Sequence, residues 1–313
     1  MDRKNGIDVF RFIGAFFIMC LHTGYGSLSQ EYSDGIRLVS RWALPFYFMT
    51  TGYFLASKIV NKSLDFKRVE GNVSRLITIF IISSFIFLPL GVLKGYAENS
   101  IDAVLIGSYF HLWFVGSLVI GYVFIWYLFY TKRSILLSFI SMILILLALL
   151  TDSYDQFFGY SLSYELFRFL LVIPFMYIGV LVYKNRNKVV NHSFLIGLIL
   201  LGLIVQFVEA EVFYSLFAYA KTTHQFLIGS LITAVAVFVL SVNLELKETR
   251  LSLWGRQYSL FIYLYHPLIF MVSWRTLDIL EPCLLYTSQS PRDKKHDSVC
   301  PVESEKVWGG GGG

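Results

Sequence analysis

Long hydrophobic runs alternate with short polar segments along this chain up to about residue 282. A membrane-spanning helix needs about 20 mostly apolar residues, and the runs have that length. Nine spans are expected, at roughly 7–26, 38–57, 75–94, 109–130, 134–151, 163–183, 193–209, 225–243 and 258–275. The expected fold class is all-α: a polytopic integral membrane bundle, with no soluble domain between the spans and no internal repeat. An odd number of spans suggests that a last helix is missing.

Composition agrees with the pattern. The chain is 56% hydrophobic and 18% aromatic with only 15% charged residues, and its mean hydropathy is +0.62. A soluble domain averages about 25% charged. The net charge of +5 is therefore read by position along the membrane, and no nucleic-acid partner is expected. With the N-terminus in the cytoplasm, every inner segment carries at least two basic residues: Arg3 and Lys4; Lys58, Lys62, Lys67, Arg68 and Arg75; Lys132 and Arg133; Lys184, Arg186 and Lys188; Lys247, Arg250 and Arg256. The opposite side holds Arg37, Arg41, Lys94, Lys221 and Arg275, together with Asp34, Glu98, Asp102, Asp152, Asp155, Glu209 and Glu211. This asymmetry sets the expected orientation. Trp42, Trp113, Trp254 and Trp274 fall near span ends, where an aromatic belt belongs. Arg11 interrupts the first apolar run and no small-residue cleavage site follows, so an uncleaved first span is expected rather than a signal peptide.

The polar residues left inside the spans carry the functional expectation, because ionisable groups in a membrane are costly. Arg11 and His22 lie on the first span. Eleven steps of about 100° bring them to within about 20° of one face, roughly 16 Å apart along the axis. The alternative is that Arg11 snorkels to the head groups and His22 caps the far end. Asp8 precedes Arg11 by three residues and can pair with it on one helix face. Arg75 opens the third span after Lys67 and Arg68, making a basic inner mouth suited to an anionic ligand such as a nucleotide phosphate. Positive-inside bias explains the lysines equally well. The outer halves hold Arg41, His111, the pair Glu165 and Arg168, and His266. Pro267 follows His266 and removes a backbone N–H there, which frees a carbonyl. A neutral imidazole is a competent base near pH 7. It could take the proton from a hydroxyl that attacks a thioester, or carry an acyl group itself. A basic mouth far below a histidine suits a long carrier whose charged head stays inside while its acyl end reaches inward. Coenzyme A has that shape.

The three cysteines give no disulfide or metal framework. Cys20 is expected to fill space in the first span, and Cys283 and Cys300 lie beyond the last. From Cys283 the hydropathy pattern stops, and Cys-Leu-Leu-Tyr-Thr-Ser-Gln-Ser-Pro-Arg-Asp resembles a translated sequencing adapter. Residues 1–282 are expected to be the transmembrane domain. Residues 283–313 are expected to be an adapter-derived or disordered tail without function.

Several segments resemble the membrane-bound acyltransferase-3 family. Gly6-Ile-Asp-Val-Phe-Arg-Phe-Ile-Gly-Ala15 looks like its opening, and Arg11 and His22 match its arginine, ten residues, histidine motif. Pro45 to Phe54 is similar to its second-span signature, with Thr51 where serine is usual. Tyr109-Phe-His-Leu-Trp-Phe114 looks like its fourth-span start, and Tyr258 to Pro267 like its late Tyr-Ser…His-Pro segment. The family tends to show two arginines entering the third span. Here Asn72 stands at the first position and Arg75 at the second. Residues 6–55 and 109–116 also resemble the membrane half of vancomycin-resistance-type serine racemases, in which a racemase domain follows.

The resemblance implies ten spans in the bacterial inner (cytoplasmic) membrane. It implies an O-acyltransferase moving an acyl group, often acetyl, from cytoplasmic acyl-CoA (acetyl-CoA) to a hydroxyl of a surface glycan, lipid-linked sugar or other exported acceptor, with no metal. His22 is then the expected catalytic residue. Arg11, Arg75 and Arg68 are expected on the donor side, and His111, Arg168, Glu165 and His266 on the acceptor side. The second expectation is a membrane substrate-handling or transport domain without acyl chemistry, as in the racemases.

Overall fold

The computed structural model describes residues 4–22, 29–60, 66–93, 107–158, 164–217, 221–222 and 224–288, with side chains except at 156, 158, 164–166 and 273–288. Arg3, Lys62, Lys94, Glu98, Asp102, Cys300 and residues 289–313 lie outside the described residues, as do the side chains of Trp274, Arg275 and Cys283. Residues 1–267 form one compact unit and 268–313 a second. The described part of the second unit is helical, to Ser288.

All regular structure among the described residues is helical. In chain order the helices are α1 (Asn5–His22), α2 (Gln30–Ser40), α3 (Ala43–Val60), α4 (Phe66–Leu93), α5 (Trp113–Tyr130), α6 (Ser134–Asp152), α7 (Asp155–Phe158), α8 (Tyr164–Leu170), α9 (Val172–Lys184), α10 (His192–Phe217), α11 (Ile228–Asn243) and α12 (Arg250–Ser288). Six stretches are long and apolar enough to cross a membrane: α1, α4, α5, α6, α10 and Phe167–Lys184, the last running through α8 and α9. The chain is an all-helical, multi-pass membrane protein.

Two expected spans are broken, and proline explains both breaks. A proline ring clashes with the carbonyl four residues earlier and offers no N–H to it. Pro45 acts on Arg41, so the run expected over 38–57 becomes α2, a turn at 41–42, and α3. Pro174 acts on Leu170, and the run expected over 163–183 divides at Leu171 into α8 and α9.

α3 and α9 form the centre of the bundle, and most of their side chains are buried. Their backbones come close because each places a glycine at the crossing. A Cβ on Gly52 would collide with the Met176 carbonyl, and one on Gly179 with the Met49 carbonyl. In lipid, where apolar side chains gain little by leaving the solvent, such close packing supplies much of the helix association. The outer helices show the complementary pattern. Ile81 and Phe85 of α4, Phe139 and Leu146 of α6, and Leu200 and Ile204 of α10 are exposed. Acyl chains solvate a surface of this kind as well as a protein core does.

One end of the bundle is closed by carboxylates. Glu209 of α10 accepts hydrogen bonds from the Tyr154 hydroxyl (2.6 Å) and from the amides of Ile228 (3.1 Å) and Gly229 (2.8 Å), capping α11. Asp152 accepts from the Phe226 amide at 2.5 Å.

Two stability outcomes follow from this packing. Gly52→Ala forces α3 from α9 and lowers stability by about 1–3 kcal/mol, whereas Gly197→Ala, with nothing within 4 Å of the added Cβ, leaves it unchanged. Thermal unfolding in detergent compares the two. Glu209→Ala uncaps α11 and lowers stability by about 1–3 kcal/mol in the same assay.

Candidate functional site

Helix α1 carries one candidate group at each depth. Near its start, Asp8 is 5% exposed and sits between two guanidinium groups. Its Oδ1 is 3.3 Å from Arg11 Nη1, and its Oδ2 is 3.1 Å from Arg256 Nε of α12. α12 can approach this closely because residue 255 is glycine. A Cβ there would collide with the Asp8 carbonyl. The Tyr47 hydroxyl donates to the Arg11 carbonyl at 2.5 Å. Arg11 is thus held at its backbone and at one terminal nitrogen, while its Nε is buried with no partner among the described residues.

That side chain lines a cavity of about 320 Å³ bounded by α1, α3, α4, α5 and, through Leu260, α12. Arg75 and Lys58 line it too, so three cations share one space. Thr50, in the same wall, leaves its Oγ1 buried and without a partner among the described residues. Asn72, at the position where a second arginine was looked for, instead donates to the Tyr122 hydroxyl at 2.8 Å, and both residues line the cavity. Arg68 is exposed at the start of α4 and does not line the cavity, although it is close enough to Lys58 to act on it electrostatically. Lys58 was equally well explained by orientation bias, and nothing in sequence distinguished it from Lys67.

At the other end of α1, three histidines meet. The His22 ring stacks on His266 with centroids 5.4 Å apart and planes 19° from parallel. His111 meets His266 nearly edge-on at 5.7 Å, and Phe110 covers another edge of His22 at 5.0 Å. His22 is exposed, while His111 and His266 are buried.

Backbone carbonyls hold the two buried rings. Pro267 cannot donate to the Tyr263 carbonyl, and His266 Nδ1 occupies that acceptor at 2.7 Å. His111 Nε2 lies 2.9 Å from the Leu264 carbonyl, and the Tyr263 hydroxyl donates to the His111 carbonyl at 2.5 Å. A carbonyl only accepts, so the bonded nitrogen of each neutral ring carries its proton. In a neutral His111 ring the unprotonated nitrogen is then Nδ1, which is buried with no partner among the described residues.

Aromatic rings join the two ends of the site. Tyr47 lies 6.3 Å from Phe114, Phe114 4.8 Å from Tyr263, and Tyr263 5.9 Å from His111. Sequence reading quoted these residues only as parts of motifs, and their role in linking the cavity to the histidines depends on three separate helices. Arg168 lies over the Trp113 ring at 4.3 Å and is near enough to His22 to act on it electrostatically, as is Arg37. Glu165 falls on α8, but its side chain, and with it the expected pair with Arg168, lies outside the described residues. Among the described residues no cluster of His, Cys, Asp or Glu could hold a metal ion.

The comparisons with known proteins extend over the whole of this arrangement. A model of the acyltransferase-3 family, described as an acyltransferase domain, matches residues 4–288. An amino-acid racemase of Enterococcus faecalis is 26% identical over 302 residues, 86% of this chain and 41% of the relative. Another from the same organism is 31% identical over 162 residues, 49% of this chain and 22% of the relative. A serine/alanine racemase of Enterococcus gallinarum is 26% identical over 132 residues, 38% of this chain and 19% of the relative. The chain spans less than half the length of these curated relatives. No solved structure matches it. With the family match running from the start of α1 to the end of α12, the chain belongs to the acyltransferase-3 family.

Proposed function

We propose that this protein is a membrane acyltransferase that takes an acyl group, in the first instance acetyl, from cytoplasmic acyl-CoA and transfers it to a hydroxyl of an exported acceptor such as a surface glycan or lipid-linked sugar. One observation carries the reading: a single helix bears a partly unsatisfied arginine in a cationic cavity at one depth and an accessible histidine, stacked on a second one, at the other. Arg11, Arg75 and Lys58 are the donor's anionic contacts. The thioester lies toward His22, with the thiol arm along the wall formed by Tyr47 and Phe114. The N-terminus is cytoplasmic in this account, which turns the cationic end toward the acyl-CoA supply and agrees with the basic loops.

The step itself balances with groups on this chain. His22, as neutral imidazole, takes the proton of the acceptor hydroxyl. The oxygen attacks the thioester carbonyl, a C–O bond forms, and the C–S bond breaks. The sulfur leaves with the electron pair and receives the proton back from His22. The stacked ring of His266 holds the imidazole plane, and His111 and Arg168 line the side from which the acceptor enters.

The racemase relatives favour one second reading, a membrane domain that handles an amino acid without acyl transfer. Proteoliposomes holding the chain, offered acetyl-labelled acetyl-CoA and a labelled amino acid in parallel, separate the two. Label passing from the thioester to a hydroxyl acceptor supports acyl transfer, and movement of the amino acid alone supports the second reading.

His22→Ala is expected to lower transfer about 10²–10⁴-fold, the usual contribution of a positioned base, while membrane insertion and elution are unchanged. Retained transfer would remove His22 from the mechanism. Arg11→Gln, read as steady-state kinetics against acetyl-CoA, is expected to raise the donor KM about tenfold or more, in line with the loss of one charge-assisted contact. Acceptor KM stays as it was.

A further inference from the structure

A second cavity, larger than the one beside Arg11, lies elsewhere on the same bundle. A space of about 810 Å³ opens where the start of α1, the end of α3, and the segments after α9 and α11 converge. Ligand sites for molecules of ordinary size occupy about 300–1,000 Å³, so this volume admits a nucleotide. Its lining brings together Lys4, Arg186 and Lys247 from three separate segments, against one carboxylate, that of Glu245.

Three further features make this more than a collection of basic loop ends. First, the walls are tied. Asn5 Nδ2 donates to the Leu246 carbonyl at 2.9 Å, and Asn243 Nδ2 to the Val190 carbonyl at 3.2 Å, which joins α1 to the segment after α11 and that segment to the one after α9. Second, one cation is oriented. The Arg186 guanidinium lies over the Tyr183 ring at 4.2 Å and donates to the Tyr183 carbonyl at 3.1 Å. Third, Asn5 leaves its Oδ1 buried with no partner among the described residues, an acceptor that matches an N–H donor such as an exocyclic amine. Cations for phosphate, an aromatic wall and a free acceptor together fit a purine nucleotide.

The position relative to the Arg11 cavity adds to this. Phe54 lines both spaces, so the two are neighbours. We propose that the pocket of Lys4, Arg186 and Lys247 binds the nucleotide end of the acyl donor, its phosphate on these cations and its base at Asn5. The diphosphate then lies past Phe54 at Arg11, Arg75 and Lys58, and the thiol arm leads on from it through the Arg11 cavity. This assignment rests on the acyl-donor reading above and names the part of the donor that the Arg11 cavity is too small to take.

The test uses the full chain in nanodiscs, with adenosine 3′,5′-bisphosphate as the probe for the nucleotide end alone. Binding to the wild type is expected, and Lys247→Gln and Arg186→Gln are each expected to weaken it about tenfold. Lys247→Gln guards against misfolding, since Lys247 is exposed. In turnover, the same variants are expected to raise the KM for acetyl-CoA about tenfold and to leave S-acetyl-4′-phosphopantetheine, which lacks the nucleotide, unaffected. Vesicles of phosphatidylglycerol are expected not to displace the bisphosphate, and displacement by them would assign the cations to lipid head groups and overturn the proposal. No binding by the wild type, or equal binding by both variants, would overturn it as well. Loss of binding in the variants with no acyl transfer by the wild type would keep the pocket and reject the acyl-transfer reading. Transfer by the wild type with unchanged acetyl-CoA KM in the variants would reject the pocket alone.

Discussion

Asp8 carries a charge at 5% exposure, and a carboxylate so far from water is tolerated only when compensated. The compensation comes from Arg11 on its own helix and Arg256 on α12. Glycine at position 255 lets the two backbones come together at that point. This one contact sets the geometry of both ends of the candidate site. It fixes Arg11 with one nitrogen occupied and Nε left over, and it lays α12 along α1 so that His266 reaches the ring of His22.

The helix defect at Pro267 does for the histidines what the glycine does for the arginines. A span with an unpaired carbonyl in its interior would be costly in lipid. Here the side chain of His266 takes the place of the missing N–H, so the defect is satisfied and the tautomer of the ring is set. Removing the proline would restore the backbone bond and leave His266 Nδ1 in competition for the same carbonyl. Both buried rings are held by backbone carbonyls, and the accessible ring, His22, stacks on that of His266. In the proposed mechanism this support holds the His22 ring in position for the acceptor hydroxyl.

Much of this could be read in the amino-acid sequence, and the parts that could not have physical reasons. Six of the nine expected apolar runs correspond, among the described residues, to helical stretches of membrane-spanning length, because lipid imposes one length and one composition on them. Arg11, His22 and the His266-Pro267 pair stood out because each breaks an apolar pattern. Pro45 and Pro174 held the information that two spans divide, but proline is common in membrane helices and kinks some of them without ending them: α4 runs through Pro89. Lys58 could not be told from its neighbours, since orientation bias accounts for any basic residue at that end. The Asp8–Arg256 contact joins residues 248 apart in the chain, and the pocket of Lys4, Arg186 and Lys247 is assembled from three loops. Neither leaves a local signature. Asn72 departs from the family pattern at the first arginine position, and the hydrogen bond it makes to Tyr122 instead joins two helices in a way that the sequence did not indicate.

The central claim of the proposed function is directional: the donor's diphosphate lies by Arg11 and its acyl end by the histidines. It can be tested without turnover. An acyl-CoA bearing a photoreactive diazirine at the end of a short acyl chain, irradiated on the full protein in nanodiscs, would be mapped by mass spectrometry with unlabelled acetyl-CoA as competitor. The account predicts competable adducts on peptides containing His22, Phe110 and Trp113. Competable adducts confined to the segments around Arg186 and Lys247, with none near His22, would mean that the donor does not reach the histidines, and would contradict it.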